Sequence, residues 1–433
     1  MAFYRLRSLC CIDASEYLRG CYQISTLSSA GAASFAELKC EWSSRIDCSL
    51  KGWRRIVFEG LYDLMSSHYK TSIDVYELRE GDIRSRRLSK SPNIGNLTIK
   101  RGVLHFSGVD LAHAVVKADY LITANMEMPG VGFLLQAHNI IDFASPNIKL
   151  RPGVSRALSD VSKSSMVGRV GQGLAILYGY SLGLLFVSHL LSHVETLPIT
   201  SAAFRHKKDQ MADFLFSDKG KTVLMESKGS FSIQNNAPTP IKRMLKRSLI
   251  EQVDPWMDHL SPTPINGYAV YSCLREAAWG ASAMFVVDPE GGDSGEPDAF
   301  SSVEQVMREN YGGWLRAMGL YDSASRLLGS SRDTSESSVY DFLISELGGH
   351  KFAYPANNMF VSNYPWGVPL AGIDLYVLHA ISTVIQFKER RLEELLFDYV
   401  PLQLGEASLL SVFPDGSIFG AMHSFDDVVD LSL

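Results

Sequence analysis

The sequence lacks most of the features that identify common enzyme classes. Its six cysteines include no CxxC pair, and their spacing matches no zinc site. No Walker loop, dinucleotide fingerprint or HExxH motif is present. One Gly-x-Ser-x-Gly string occurs, at 179–183, within a long uncharged segment. His350 and His379 are interpreted as structural residues, and a serine or cysteine hydrolase is not favoured.

The chain also lacks a net positive charge. The formal net charge is -6 and the sequence pI is about 6.0, so any binding of nucleic acid needs a local basic patch on an acidic protein. The first residues contain no apolar segment long enough for a secretory signal. We therefore expect a cytoplasmic protein with reduced thiols.

Length and composition indicate a globular protein of two or three domains, with 433 residues of which 46% are hydrophobic and 20% charged. An acidic, Gly- and Pro-rich stretch at 288–297 is typical of an exposed loop or linker. We expect an N-terminal α+β region at 1–160, a central domain at 161–290 and a mainly helical C-terminal region at 298–433. Within the first region, 72–79, 96–99, 103–106, 121–126 and 132–135 are candidate strands.

One segment raises the question of a membrane. Residues 170–187 carry no charge over a length close to the lower limit for a spanning helix. However, the segment contains Gln172 and four glycines, and its second half resembles a strand. A helix and a strand buried in a soluble domain explain it, with no membrane involved; a membrane anchor is the alternative.

A β-hairpin is predicted in the middle of the chain. Turn-forming residues separate two apolar runs, and a glycine stands where a positive φ is needed. The predicted strands are 210–216 and 222–229, joined by a turn at 217–220.

The hairpin brings acidic and basic side chains together. Glu226 and Lys228 are two residues apart and share one face of their strand. Closing the turn brings Asp213 opposite 225–226, at what we expect to be a sheet edge. Two carboxylates and a lysine in this arrangement can hold a divalent cation and position a water, although an exposed ion pair on a solvated sheet is the simpler alternative.

The segments around the hairpin strengthen the functional interpretation. A helix is predicted in 167–180, a basic helix in 241–260, and strands in 267–274 and 283–288. With Ala212-Asp213 followed by Glu226-Ser227-Lys228, this order resembles the core of the PD-(D/E)XK nuclease superfamily over residues 166–290. The resemblance implies a mixed central sheet flanked by helices.

The resemblance also implies roles for the matching residues. Asp213 and Glu226 would hold Mg²⁺ or Mn²⁺, with the Ser227 carbonyl as a further ligand. Lys228 would orient the attacking water or stabilise developing charge. The implied activity is that of a metal-dependent DNA endonuclease.

The chain departs from the superfamily pattern at three positions. Ala212 replaces the usual proline, which matters little. Gln172 stands where many relatives have a glutamate on the first helix, and the lost carboxylate lowers the expected metal affinity. Gln252, followed by Trp256, is similar to a glutamine-tyrosine pair of some relatives, but Pro255 between them weakens the match.

Two basic clusters could contact backbone phosphates of duplex DNA without reading its sequence. They are Arg205, Lys207 and Lys208 before the hairpin, and Lys242, Arg243, Lys246 and Arg247 on one side of the following helix. The basic turns at 84–101 are the next candidates.

A single-chain nuclease with large unassigned flanks suits an effector of bacterial anti-phage defence or of a mobile element, acting with a protein partner or as a homo-oligomer. The alternative is a catalytically weak nucleic-acid-binding or scaffold subunit that keeps the nuclease fold.

Overall fold

The fold is that of a computed structural model, which describes residues 70–86, 93–122, 129–196, 211–218, 221–231, 236–257, 260, 266–288, 300–329, 338–356, 371–402, 410–420 and 427–433. The predicted turn residues 219–220 and most of the predicted linker lie outside this part of the chain.

The larger sheet has seven strands in the order β2-β1-β9-β8-β7-β6-β5. The strands of the first half of the chain are β1 (Lys70–Leu78), β2 (Thr98–Ser107), a separate two-stranded pair β3 (Ile141–Asp142) and β4 (Lys149–Leu150), β5 (Phe186–His189), β6 (Phe214–Asp218), β7 (Lys221–Ser230), β8 (Asn266–Cys273) and β9 (Ala283–Val287). The central strands β8 and β9 are almost entirely buried, as expected of apolar strands that are covered on both faces.

The sheet is mixed. Strands β5, β6 and β7 form an antiparallel meander, and β8 lies parallel to β7. On the other side, β9 is antiparallel to β8 and parallel to β1, which pairs with β2 in the antiparallel sense. The sheet therefore contains strands from both sides of the boundary predicted at 160.

The predicted hairpin is confirmed as β6 and β7. Phe214 pairs with Met225, and Asp218 pairs with Lys221. The first strand begins four residues later than predicted, while the second is one residue longer at each end. The register that places Asp213 beside Glu226 follows from this pairing.

Helices flank the sheet on both faces. They are α1 (Glu80–Arg84), α2 (Gly108–Ile122), α3 (Pro129–Ile140), α4 (Val154–Ala157), α5 (Asp160–Ser181), α6 (Leu190–Thr196), α7 (Pro238–Arg247) and α8 (Asp254–Met257), with a 3₁₀ turn at Ile94–Leu97 and a π-helical segment at Ser248–Val253.

The strand predicted at 132–135 is wrong, because this apolar run belongs to α3. A short apolar run does not distinguish a strand from a buried helix. The strand predicted from 121 is wrong at its start, where α2 ends. The strand predicted at 96–99 is wrong in its first half, which belongs to the 3₁₀ turn, and its second half begins β2.

Most of the uncharged segment is buried in α5 and β5, and residues 181–183 between them are exposed. Leu174 is fully buried and Leu177 is 8% exposed, whereas Leu185 is only half-buried. Among the described residues, every helix is too short or too polar to span a bilayer.

Where the structure describes it, the C-terminal region is a mixture of helix and strand, whereas the prediction was a mainly helical region. It contains a six-stranded antiparallel sheet in the order β13-β14-β12-β11-β10-β15. Its strands are β10 (Val339–Leu347), β11 (His350–Pro355), β12 (Ala371–Asp374), β13 (Ser411–Val412), β14 (Ser417–Phe419) and β15 (Asp427–Ser432), and its helices are α9 (Phe300–Ala317), α10 (Tyr321–Leu327), α11 (Leu375–Gln386) and α12 (Leu392–Leu395). Several of these strands are very short and give little periodic signal.

A buried ion pair connects the turn between β13 and β14 to α2. Lys117 and Asp415 are both inaccessible to water and contact each other. Asp415 also accepts hydrogen bonds from Asn310 Nδ2 at 2.7 Å and from the Ser417 hydroxyl at 2.6 Å. Burial lowers the pKa of Lys117, and the nearby lysine keeps the pKa of Asp415 low despite its burial. Charge and hydrogen bonds thus hold the C-terminal sheet against the helices of the first.

Candidate active site

Asp213 is the residue immediately before β6, and its backbone and side chain both contact β7. Its backbone N–H donates to Glu226 Oε2 at 3.1 Å. Its Oδ2 accepts from the Ser227 N–H at 3.1 Å and from the Ser227 hydroxyl. These hydrogen bonds lock the two carboxylates side by side.

One oxygen of each carboxylate remains outside this network. Among the described residues, no hydrogen bond reaches Asp213 Oδ1, and Glu226 Oε1 is buried against the ammonium group of Lys228. Each carboxylate is therefore held through one oxygen by the hydrogen bonds between Asp213 and β7. A divalent metal could reach Glu226 Oε1 only if Lys228 moved away from it.

Lys228 is the cation that approaches this pair. Its Nζ lies against Glu226 Oε1 as an ion pair. The two side chains share a face of β7, because alternate residues of a strand point to the same side. The Lys228 side chain is 29% exposed while that of Glu226 is fully buried, so the site opens to solvent at the lysine.

Burial controls the protonation of Glu226. Loss of solvation, followed by the neighbouring charge of Asp213, raises the pKa of Glu226 to about 8, although Lys228 acts in the opposite direction. The expectation that this carboxylate lies at a sheet edge is wrong, since β7 is an interior strand between β6 and β8. The position of β7 between two other strands shields Glu226 from water.

Among the described residues, the acidic side chains that meet in this site are Asp213 and Glu226. Within the described part of the chain, no cluster of three or more His, Cys, Asp or Glu side chains is arranged to bind a metal. Ser227 contacts Asp213 through its N–H and hydroxyl, and the role of its carbonyl as a ligand remains a prediction.

No family model, curated protein or solved structure matches the chain. Function is therefore inferred from the order of the elements and the chemistry of the side chains they bring together.

Gln172 lies on α5 close to the point where this helix crosses β7. The crossing is tight, because a Cβ on Gly229 would be 2.4 Å from the Val167 carbonyl oxygen, and one on Gly171 would be 3.2 Å from the Gly229 nitrogen. Gln172 is half-buried, and the described residues provide it with no hydrogen bond. The close contact with the Lys228–Gly229 backbone is made at Gly171, the residue before Gln172, and among the described residues no hydrogen bond joins Gln172 to either carboxylate.

Gln252 has a positioning contact. It lies in the π-helical segment, and its Nε2 donates to the Met211 carbonyl oxygen at 3.2 Å. Met211 is two residues before Asp213, so this bond fixes the chain as it enters the site. Trp256, its predicted companion, is fully buried in the core.

His189 is a neighbour of the site that sequence spacing did not identify. It ends β5 and pairs with Phe214, next to Asp213. Its Nδ1 accepts a hydrogen bond from the Leu191 N–H at 3.3 Å, which leaves the proton of the neutral ring on Nε2. Burial lowers the pKa of His189, while the charge of Asp213 opposes this effect. Only the pairing of β5 with β6 reveals this proximity.

The basic helix is only partly available to a ligand. Lys242 is buried and donates to the Ser85 hydroxyl at 2.7 Å, and Lys246 donates to the Arg84 carbonyl oxygen at 2.8 Å. The predicted single basic face is therefore divided, since two of its four cations hold α7 against α1.

The other two cations are on the surface. Arg243 is exposed, and Arg247 is exposed but paired with Glu251 at 2.7 Å. The first cluster, Arg205, Lys207 and Lys208, lies outside the described residues.

Proposed function

We propose that this chain is a metal-dependent nuclease of the PD-(D/E)XK type, which hydrolyses phosphodiester bonds of DNA. The observation that carries the proposal is that Glu226 contacts both Asp213 and Lys228, which brings two carboxylates and an ammonium group together in one site. The order helix, three-stranded meander, helix and parallel strand, from α5 to β8, supports it, because the resemblance predicts a helix, a hairpin and a further helix and strand in this order.

The position of each residue in the site suggests its role. Asp213 and Glu226 would hold Mg²⁺ or Mn²⁺. A bound divalent ion supplies a hydroxide at neutral pH and neutralises charge on the phosphoryl group. Glu226 must lose its proton for this, and Lys228 must leave its oxygen and turn towards the open side of the site. There the ammonium group would stabilise the charge that develops on the phosphoryl oxygens.

Cleavage of duplex DNA tests the proposal. The wild-type protein should cut in Mg²⁺ or Mn²⁺ and should not cut in EDTA. Asp213→Asn and Glu226→Gln, which preserve side-chain size, should abolish cleavage, and Lys228→Met should reduce the rate about 10²- to 10³-fold. Asp160→Asn, at an exposed position in the first turn of α5, is the matched control and should cut at the wild-type rate.

A second function is favoured by one observation. The ion pair between Lys228 and Glu226 fills the position that a metal would need, beside only two acidic groups. A nucleic-acid-binding scaffold that retains the fold would have this arrangement permanently. DNA binding without cleavage in any divalent ion would support the scaffold, whereas cleavage that survives EDTA would contradict the metal mechanism.

A further inference from the structure

A second cleft is present on the C-terminal sheet, away from the elements that carry Asp213 and Glu226. It lies where β11 begins, β12 ends and α11 starts, and the segment 398–400 forms its other wall. Its volume is about 570 Å³, within the range of sites for small organic ligands.

A buried carboxylate organises the cleft. Asp374 is 3% exposed, and its Oδ2 makes a hydrogen bond with His350 Nδ1 at 2.7 Å. The same oxygen accepts from the Tyr399 hydroxyl at 3.2 Å, and Oδ1 accepts from the Tyr376 N–H at 2.9 Å. The carboxylate is thus surrounded by donors, and each of them is held in place by it.

This arrangement selects the state of His350. An ionised carboxylate can only accept, so Nδ1 of the neutral ring carries the proton and Nε2 carries the lone pair. Nε2 is on the edge of the ring opposite Asp374, and the side chain is 26% exposed. The imidazole is therefore oriented to accept a hydrogen bond from a hydroxyl group of a ligand, an arrangement also found in acid–base sites.

An aromatic surface lies beside the imidazole. The rings of Tyr376 and Tyr399 are stacked, with centroids 5.9 Å apart and an interplanar angle of 15°. Tyr376 is nevertheless 52% exposed, and its hydroxyl donates to the Leu395 carbonyl oxygen at 3.1 Å. The ring is thus fixed by contacts on one side and presents surface to the solvent.

The charged side chains of the cleft also bear on which ligand it binds. Lys351, the residue after His350, is exposed and lines the same cleft. The cleft is also lined by His379 and by the carboxylate of Asp398, and its described residues form no metal-ligand group. The groups available to a ligand are therefore an aromatic ring, hydrogen-bonding side chains, the ammonium group of Lys351 and the carboxylate of Asp398. We propose that this cleft binds a nucleoside monophosphate, with the base against Tyr376, a sugar hydroxyl on His350 Nε2 and the phosphate on Lys351.

Calorimetric titration of the full chain with AMP in EDTA tests this site. EDTA keeps the Asp213 and Glu226 site free of metal, so failure of the nuclease proposal does not affect the result. Binding of AMP at one site per chain is expected. Stacking of a base on an aromatic ring contributes about 1–3 kcal/mol, so Tyr376→Ala should weaken AMP at least about fivefold.

Titrations with adenosine and with ribose 5-phosphate, the two fragments of AMP, show which residue contacts which part of the ligand. Tyr376→Ala should weaken adenosine but leave ribose 5-phosphate unchanged, and Lys351→Ala should weaken ribose 5-phosphate but leave adenosine unchanged. Tyr376→Phe keeps the ring without its hydroxyl and should bind AMP as the wild type does. His350→Gln should weaken both fragments, whereas His105→Gln, at an exposed histidine of β2, should change nothing.

Two results would overturn the proposal. One is the absence of AMP binding at millimolar concentration by a protein with an intact circular dichroism spectrum. The other is binding that Tyr376→Ala and His350→Gln leave unchanged, which would locate AMP elsewhere on the chain.

Discussion

Replacing Glu226 by glutamine should change how the stability of the metal-free protein depends on pH. The pKa of Glu226 in the folded protein is about 8, raised mainly by burial, against an ordinary value of 4.5. Between these values the folded protein holds a proton that the unfolded chain releases. The stability gained from this proton is fully present below about pH 4.5 and is lost as the pH rises towards 8.

The size of the effect follows from the interval between the two pKa values. Each pKa unit corresponds to about 1.36 kcal/mol, so the whole interval corresponds to about 5 kcal/mol. Between about pH 5.5 and 7.5 the wild type should lose about 2.7 kcal/mol that the glutamine variant does not lose. This is a large fraction of the 5–15 kcal/mol that stabilises a typical domain.

Urea unfolding of both proteins in EDTA measures this difference. The free energy of unfolding of the wild type should fall steadily relative to that of the glutamine variant as the pH rises, because other titrating groups are common to both proteins. Lys228→Met removes the charge that opposes the shift and should extend the decline to higher pH. A difference that is independent of pH would refute the reasoning, since it would mean that Lys228 keeps Glu226 ionised throughout.

Three further predictions concern other parts of the fold. Lys117→Met leaves the buried charge of Asp415 without its partner and should lower the free energy of unfolding by about 3–5 kcal/mol, and the double variant with Asp415→Leu should recover part of this loss in the same urea titration. Gly229→Ala should lower the melting temperature, because the new methyl group would lie 2.4 Å from a backbone oxygen of α5; an unchanged melting temperature would contradict this close packing. Arg243→Glu should weaken DNA binding and reduce the slope of its salt dependence by about 0.9 with unchanged stability, whereas Lys242→Glu should mainly destabilise the fold, as thermal melts and binding at two salt concentrations would reveal.

The features that the sequence predicted well are those set by local pattern. The hairpin of β6 and β7 joins strands separated by a short turn, so alternation and turn residues together determine its register. The meeting of Asp213 and Glu226 follows from that register. The burial of α5 also follows, because a long uncharged segment with glycines must be covered by other elements.

The features that it did not predict depend on contacts distant in the chain. Nothing in the pattern of β1 indicates that it pairs with β9, in a sheet that reaches across the predicted boundary at 160. Lys242 is a surface lysine by spacing, and becomes buried through Ser85, which is 157 residues away. The interpretation of His350 as purely structural likewise could not include Asp374, whose carboxylate orients its ring from the next strand.

The link between Lys117 and Asp415 has a consequence for the order in which the protein can mature. The two residues are 298 positions apart, so the lysine is synthesised long before the aspartate that neutralises it. Until Asp415 has left the ribosome, α2 cannot bury its lysine without the cost of an isolated charge in the interior. A chain terminated before Asp415 would therefore be destabilised at α2, which contains Lys117, rather than near the point of truncation. In the cell, such a chain would present surface for chaperones and proteases at a position remote from the truncation.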